Sequence, residues 1–284
     1  MENKLKKYAV LSLDVEDWHH LDYFSSIDVS KNYSMLDGLN NFLEVVDDYG
    51  IQTTLFALSS VAPVVKSELL SAINSGHEIA SHGTSHDRPL TVPRSEFIQD
   101  IVHSKNTIED ILSTEVLGYR APCFSMNNEL LDDLRSAGYQ YDSSKIDFSS
   151  HPLYGGIDSS GFIKRMDNVY QDKGFTEFEL PTTDLLNRKI PISGGGYLRI
   201  FPWMIMRKLV ADYLATHQTY FLYIHPFELS KVSPLSVDGA GVLRNFRFKY
   251  GQGRTPSKLK KLIELLKEND YEFTTFKSLS AISK

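Results

Sequence analysis

Three acidic side chains follow the first apolar stretch of the chain. Residues 8–13 form a largely apolar run of the kind that is buried on both faces of a parallel sheet. Asp14, Glu16 and Asp17 come directly after it, and each would be costly to bury unless it were paired or bound to a metal. A single acid here would suit a solvated loop, but three within four residues favour a catalytic or metal-binding site.

Other polar side chains occupy equivalent positions further along the chain. His82, Arg120 and His225 each follow a predicted strand, and His86 lies four residues after His82. Because ligands bind at the carboxyl edge of parallel sheets, we expect these side chains to face one site. Two histidines and one carboxylate form a facial metal site with open positions, which suits Zn²⁺ or another divalent transition metal.

The elements that must position these residues alternate between strand and helix. Repeated βα units predict a parallel sheet with helices on the outside. At 284 residues the chain is long enough for two domains or for one large barrel-like α/β domain. Residues 143–200 interrupt the alternation because they are rich in Ser, Gly, Asp and aromatic residues, and we interpret them as an insertion on the catalytic face.

The overall composition excludes several classes of protein. With 30 basic and 36 acidic residues the net charge is −6, so the chain as a whole is not a nucleic-acid binder. Cys123 is the single cysteine, which excludes an intrachain disulfide framework. Residues 1–7 include basic residues without the apolar segment of a signal peptide, and the sequence shows no transmembrane stretch. We therefore expect a cytoplasmic protein.

Four short motifs occur in order over nearly the whole chain. They are residues 12–17 (SLDVED), 81–86 (SHGTSH), 120–122 (RAP) and 222–225 (LYIH). Together they resemble the polysaccharide deacetylase family, carbohydrate esterase family 4, whose members are metal-dependent amide and ester hydrolases. Further segments resemble the branch of that family associated with exopolysaccharide and surface-glycan gene clusters, namely residues 14–18, 179–181, 193–197, 225–228 and 254–256.

The resemblance also implies a fold. Members of the family are built as a distorted (β/α) barrel, so we expect an α/β fold with six to eight parallel strands. The motifs extend over nearly all of the chain, which favours a single domain over residues 1–284, with residues 143–200 as the insertion on its catalytic face.

The resemblance further implies roles for individual residues. His82 and His86 would bind one divalent metal, with zinc preferred and cobalt, nickel, iron or manganese as alternatives. Asp14 would be the general base that takes a proton from the attacking water, and Arg120 would pair with it and keep it ionised. His225 would be the general acid, because an amine leaves an amide readily only when it is protonated.

The resemblance also implies contacts with the substrate. The backbone N–H of Cys123 would help to hold the oxyanion, and the aromatic rings near the motifs could stack on a sugar. Trp18 and Tyr197 are our first candidates for that stacking, and the other aromatic residues near the motifs are Tyr23, Phe124, Tyr154 and Phe227.

The chain departs from the family pattern in two places. Many members have two adjacent acids, the base and then a metal ligand, whereas here Val15 follows Asp14. Side-chain identity favours Asp17 as the ligand, and an Asp-x-acid spacing favours Glu16 as the alternative. The carboxylate that orients the terminal histidine is also open, with Asp142 and Glu228 as candidates.

A run of basic residues bears on the partner. Residues 239–263 contain no acid and seven cations: Arg244, Arg247, Lys249, Arg254, Lys258, Lys260 and Lys261. The run is either a solvated surface or a patch for an anionic partner, such as a sugar-linked pyrophosphate or the surface of an anionic membrane. The sequence leaves the oligomeric state open.

These observations predict a cytoplasmic, metal-dependent hydrolase that removes the N-acetyl group from an acetamido sugar. A nucleotide- or lipid-linked sugar in surface-glycan biosynthesis is the expected carbohydrate substrate. Two alternatives remain. One is another amide hydrolysis on the same fold, either deformylation or an allantoinase-like ring opening, and the other is a non-catalytic sugar-binding module.

Overall fold

The computed structural model describes residues 6–148, 151, 153–185 and 188–283. Within that part of the chain the strands are β1 (Lys7–Val15), β2 (Thr54–Ala57), β3 (Glu78–Ser81), β4 (Gly118–Tyr119), β5 (Tyr141–Ile146), β6 (Ile163–Met166), β7 (Val169–Asp172), β8 (Phe175–Leu180), β9 (Thr182–Leu185), β10 (Arg188–Pro191), β11 (Thr219–Ile224) and β12 (Tyr271–Phe273). The α-helices are α1 (Asp37–Asp48), α2 (Lys66–Asn74), α3 (Arg94–Leu112), α4 (Asn128–Ser136), α5 (Gly195–Ile200), α6 (Trp203–Leu214), α7 (Pro226–Leu229), α8 (Gly241–Lys249), α9 (Thr255–Glu268) and α10 (Phe276–Ile282).

A ten-stranded sheet is the centre of the described structure. Its order is β11-β1-β2-β3-β4-β5-β8-β7-β6, and β12 pairs with the first residues of β1. Every pairing from β11 to β8 is parallel, as is that of β12, whereas β7 and β6 are added antiparallel. The sheet curls into a half-barrel with helices around it. The predicted α/β fold with six to eight parallel strands is therefore confirmed, since eight strands form the parallel part.

The burial pattern explains why these residues form these elements. In β1 every residue after Lys7 is buried, as expected for a strand that is covered on both faces. Helix α1 buries Leu39, Phe42, Leu43 and Val46, which recur at helical spacing and pack onto the sheet. Among the described helices, none is long and apolar enough to cross a membrane.

The segment 143–200 is more closely joined to the sheet than an insertion would be. Residues 143–146 complete β5, and β8 lies beside β5 as a parallel strand of the main sheet. Among the described residues, the parts that leave the sheet are residues 153–162, the two-stranded pair of β9 and β10, and helix α5. Within this segment β6, β7 and β8 are strands of the main sheet. The alternation of strands and helices is lost because no helix separates β5 from β8 in the described residues.

Candidate active site

The carboxyl ends of four strands place the predicted polar groups at one edge of the sheet. Asp14 is the penultimate residue of β1, and His82, Arg120 and His225 directly follow β3, β4 and β11. These strands lie within one parallel run, so their carboxyl ends face the same way. A small cavity of about 140 Å³ is lined there by Asp14, His82 and His225 among others.

Asp14 and Arg120 form a buried ion pair. Nη1 of Arg120 lies 2.6 Å from Oδ1 of Asp14, and both side chains are almost inaccessible to solvent. The guanidinium also donates to the Oγ of Ser12 and to the backbone carbonyl and Oγ of Ser143, at 2.9, 3.2 and 3.0 Å. The ring of Phe56 lies 4.0 Å from its central carbon. A buried cation held by this many partners fixes the orientation of the Asp14 carboxylate.

Glu16, His82 and His86 form a group that could hold a metal. Their ligand atoms all lie within 4.8 Å of one another. Nδ1 of His82 lies 2.7 Å from the backbone carbonyl of Arg120, so Nδ1 carries the proton and Nε2 is free to bind a metal. His86 has φ 66°, a backbone conformation that is rare outside glycine and that collects at functional sites.

The Glu16 carboxylate tests whether this group fits a metal. Its Oε2 is buried and lies 3.0 Å from Nε2 of His86, yet it makes no hydrogen bond. A buried carboxylate oxygen without a hydrogen bond is costly unless a cation binds it. Two imidazoles and one carboxylate are the donor set of catalytic zinc sites, so the group fits a divalent transition metal.

Asp17 lies outside this group. Its Oδ1 accepts hydrogen bonds from the backbone N–H groups of Trp18 and Met35, at 2.8 and 2.9 Å. Side chains alternate along extended backbone, so Glu16 follows Asp14 to the same face and Asp17 points elsewhere. The ranking of the two acids is therefore corrected, because the structure brings Glu16 and not Asp17 to the two histidines.

The charges around these groups shift their pKa values. Burial alone would raise the pKa of Glu16, but the neighbouring imidazoles of His86, His225 and His82 outweigh it and hold the pKa at about 2. Burial lowers the pKa of His82 to about 4, which leaves that imidazole neutral at pH 7. An ionised carboxylate and a neutral imidazole are the forms that bind metals.

His225 is oriented by Glu228. Nδ1 of His225 lies 3.2 Å from Oε2 of Glu228, and Nε2 lies 3.6 Å from Oε1 of Glu16. Glu228 is itself held by Arg199, whose Nε lies 3.2 Å from Oε1. Burial would lower the pKa of His225, but the carboxylates of Glu228, Glu16 and Asp14 raise it to about 9. Of the two candidates that the sequence left open, Glu228 is thus the one beside the histidine.

Asp142 takes part in a different buried pair, with Glu177. Oδ1 of Asp142 accepts from the Oγ of Ser144 at 2.7 Å, and Oε1 of Glu177 accepts from the backbone N–H of Lys145 at 2.9 Å. Burial raises the pKa of Asp142 to about 6, and burial together with Asp142 raises the pKa of Glu177 well above its usual range. The pair holds residues 143–145, which in turn hold Arg120 through Ser143.

The predicted substrate residues have different outcomes. Cys123 lines the small cavity with Asp14 and the three metal candidates, and its φ of 54° places it in a tight turn. Tyr197 lines an adjoining aromatic cavity of about 400 Å³. Trp18 lines neither cavity, since its ring is 2% exposed, stacks on Tyr33 and donates from Nε1 to the carbonyl of Tyr33 at 3.0 Å. The proposal that Trp18 contacts a sugar was therefore wrong for this structure.

Some contributors to the site could not be found in the sequence. Arg199 holds Glu228, and Ser143 holds Arg120, across 29 and 23 residues of chain respectively. Neither residue lies in a motif with a chemical reading, so only the fold shows these contacts. His151 also lines both cavities, although a lone histidine in a loop carries no signal.

The basic run does not form a single patch. The Nζ of Lys258 is a structural donor, bonded to the backbone carbonyls of Leu198, Arg199 and Phe201. Lys260 pairs with Asp48 at 3.2 Å. Arg247 instead lines the aromatic cavity beside His225. Of the five cations that remain for an anionic partner, three lie on α8, namely Arg244, Arg247 and Lys249, and the other two are Arg254 and Lys261.

Comparison with known families covers most of the chain in two parts. Residues 31–141 match the model described as polysaccharide deacetylase, and residues 143–281 match a domain of unknown function (DUF3473). A peptidoglycan deacetylase of Helicobacter pylori (strain ATCC 700392 / 26695) is 24% identical over 123 residues. That match spans 43% of this chain and 42% of the relative, so it covers less than half of either protein.

Solved structures share the fold over a larger part of the chain. A Mycobacterium smegmatis protein assigned to the polysaccharide deacetylases has a TM-score of 0.65 at 16% identity, over 100% of this chain and 92% of that one. PuuE allantoinase has a TM-score of 0.63 at 12% identity, over 99% and 91%. A CE4 family pseudoenzyme from Bacillus anthracis has a TM-score of 0.55 at 12% identity, over 97% and 66%. At these identities the likeness concerns the fold alone.

Proposed function

We propose that this chain, which matches the polysaccharide deacetylase model over residues 31–141, is a metal-dependent hydrolase that removes the N-acetyl group from an acetamido sugar. One observation carries the proposal. The same small cavity is surrounded by three features. They are Asp14, a base that is ion-paired with Arg120, the metal-binding group, and His225, whose imidazole is oriented by a carboxylate. Together these groups supply an activated water, a base for its proton and an acid for the leaving amine, which are the functions that metal-assisted amide hydrolysis uses.

The metal would be held by Glu16, His82 and His86. A divalent cation held there would supply Lewis-acid chemistry, since such an ion can lower the pKa of a water to about 7 and polarise an amide carbonyl. Zinc suits the two imidazoles and one carboxylate best, and cobalt, nickel, iron or manganese are compatible with the same donors. The backbone carbonyl that accepts from Nδ1 of His82 keeps that ring in the metal-binding tautomer.

The remaining groups divide the proton transfers between them. Asp14, fixed by Arg120, takes a proton from the attacking water. The backbone N–H of Cys123 stabilises the negative charge that develops on the amide oxygen. His225 protonates the leaving amine, and Glu228 stabilises the charged imidazole before that transfer. The products are acetate and the free amino sugar.

The adjoining aromatic cavity is the proposed place for the rest of the substrate. It shares His225 with the candidate site, and the rings of Tyr23, Tyr154 and Tyr197 line its wall. Aromatic faces suit a sugar ring. Arg247 also lines this cavity, and within the described residues no carboxylate forms an ion pair with it. A cation in that position favours a sugar attached to a pyrophosphate, as in the precursors of surface glycans.

A panel of substrates would test the function. The zinc-loaded protein is incubated with nucleotide- and lipid-linked N-acetyl sugars, with their N-formyl counterparts and with allantoin, while acetate, formate and ring opening are measured separately. We expect acetate from at least one N-acetyl sugar, released ~10²–10⁴-fold more slowly by Asp14→Asn. Formate or allantoin turnover without acetate would replace the proposal by another amide hydrolysis. Sugar binding by calorimetry without any turnover would indicate a non-catalytic module.

A further inference from the structure

Helix α8 exposes an unusual amount of apolar surface. Val242, Leu243 and Phe246 are 89%, 63% and 51% exposed, and Tyr250 directly after the helix is also exposed. The helix is attached through Phe248, which is fully buried against the rings of Phe24, Phe227 and Trp18. Exposed apolar residues that cluster on one element mark an interaction surface more often than scattered ones.

The same helix carries cations without acids. Arg244, Arg247 and Lys249 lie on α8, and no acidic residue occurs between positions 239 and 263 of a chain whose net charge is −6. Among the described residues none of these three cations takes part in an ion pair. Arg244 reaches the Oγ of Ser26 at 3.5 Å, and Lys249 donates to the Oγ of Ser236. Exposed apolar groups interspersed with cations are the composition of a helix that lies at a membrane interface.

Charge also argues against a second copy of the chain as the occupant. A two-fold interface built on α8 would bring the cations of both copies into one interface, because symmetric interfaces use the same surface on both sides. Like charges facing each other oppose such an association. An anionic lipid surface complements both the exposed apolar residues and the cations of α8.

The helix is continuous with the candidate site. Arg247 lines the aromatic cavity that also contains His225, whereas Val242 and Phe246 are exposed. We propose that α8 docks the protein onto an anionic membrane surface, with Val242, Leu243 and Phe246 in the headgroup region and Arg244 and Lys249 on lipid phosphates. This docking also narrows the substrate, an inference that rests on the proposed function: the sugar is carried by a membrane lipid rather than by a soluble nucleotide.

Binding to vesicles would test the docking directly, without turnover. The full chain is sedimented with vesicles of phosphatidylcholine alone or mixed with phosphatidylglycerol, at low and high salt. We expect binding only to the anionic vesicles and a loss of binding as salt rises. Binding to neither kind of vesicle, or equal binding to both at every salt concentration, would overturn the proposal.

Two pairs of substitutions separate the apolar and the charged contributions. The apolar variant carries Val242→Ser and Phe246→Ser, and the charge variant carries Arg244→Glu and Lys249→Glu. Each should reduce vesicle affinity at least tenfold. The apolar variant loses buried apolar area, and in the charge variant each lost cation near the surface costs roughly fivefold. The matched controls are Ile282→Ser, at an apolar position on α10 that is as exposed as Phe246, and Lys261→Glu, at a cation of α9. Both should bind as the parent protein does. Parent-like binding by both α8 variants would refute the role of the helix.

Other readouts keep the outcomes distinguishable. Circular dichroism checks that each variant folds, and Val242→Ser alone serves if a double variant does not. Sedimentation velocity without vesicles shows whether α8 instead pairs two copies. A dimer that the apolar variant converts to monomer, together with no vesicle binding, would overturn the proposal.

Hydrolysis of a soluble N-acetyl sugar should be unchanged in the α8 variants. Absent hydrolysis in all forms would contradict the proposed function and leave the docking result standing.

Discussion

At the scale of single residues, the alternation of side chains along extended backbone decides which carboxylates face the site. Asp14 and Glu16 are two residues apart and both face the site, whereas Asp17 turns away and accepts two backbone hydrogen bonds. Residue identity alone ranked Asp17 first because aspartate is the commoner choice in the family. Geometry favours Glu16, since it alone of the two reaches the pair of histidines.

Metal content separates the two acids. Glu16→Gln should remove most of the bound zinc, and His82→Ala should remove it entirely, because three protein ligands leave no spare donor. Asp17→Ala should keep one zinc per chain and lower the free energy of unfolding by about 1–3 kcal/mol, the cost of leaving two backbone donors unpaired. Elemental analysis and urea unfolding of the zinc-loaded proteins measure both effects. Zinc lost in Asp17→Ala but kept in Glu16→Gln would restore Asp17 as the ligand.

The base can be separated from the metal site. Asp14→Asn preserves shape and lies outside the group of metal ligands, so we expect normal zinc content. Turnover should fall by ~10²–10⁴-fold, the usual contribution of a general base. Steady-state kinetics of acetate release and elemental analysis on the same sample give both values. Near-normal turnover with full zinc content would exclude Asp14 as the base.

At the scale of elements, a run of cations that is continuous in sequence is divided by the fold. Lys258 is buried against three carbonyls of the α5 region, while α8 presents Arg244 to solvent and Arg247 to the aromatic cavity. A sequence pattern cannot show this division, because it depends on which turn of each helix meets the core. The substrate contact is therefore expected from one residue of the run and not from the whole run.

The aromatic cavity offers a test at this scale. Arg247→Ala should raise KM for a pyrophosphate-linked N-acetyl sugar by about 10- to 100-fold, because it removes a charge-assisted hydrogen bond to the anion. KM for a small neutral N-acetyl sugar should stay nearly unchanged. Lys261→Ala is the control, since Lys261 belongs to the same run and lines neither cavity. An equal rise in KM for both sugars would mean that Arg247 supports the cavity and not the anion.

At the scale of the whole molecule, local patterns and long-range contacts were predictable to different degrees. The alternation of strands and helices and the polar groups at strand ends gave the parallel sheet and its functional edge, because both depend on residues close together in the chain. Other features depend on contacts between distant segments. They are the place of β8 beside β5, the support of Glu228 by Arg199 and the pairing of Asp142 with Glu177. No local period or motif encodes such contacts.

The buried Asp142–Glu177 pair makes stability depend on pH. Burial raises the folded-state pKa of Asp142 from 3.8 to about 6, and that of Glu177 well above 4.5. The folded protein therefore binds more protons than the unfolded chain from about pH 4 to pH 6, and the raised pKa of Glu177 extends this difference above pH 6. The contribution of the pair is fully present below pH ~4 and is lost as pH rises through the folded-state values, with a slope of up to ~1.4 kcal/mol per pH unit for each proton.

Glu177→Gln isolates this contribution. The amide stays neutral at every pH and can donate a hydrogen bond to Asp142, so the pair no longer has to hold the extra proton. Urea unfolding between pH 4 and 8 should show that the variant gains stability relative to the parent protein as pH rises. Glu44→Gln, at an exposed position on α1, should follow the parent curve. Parallel curves for Glu177→Gln and the parent protein would mean that the two carboxyl groups are not protonated in the folded state, and that residues 143–145 and Arg120 are held against a charged pair instead.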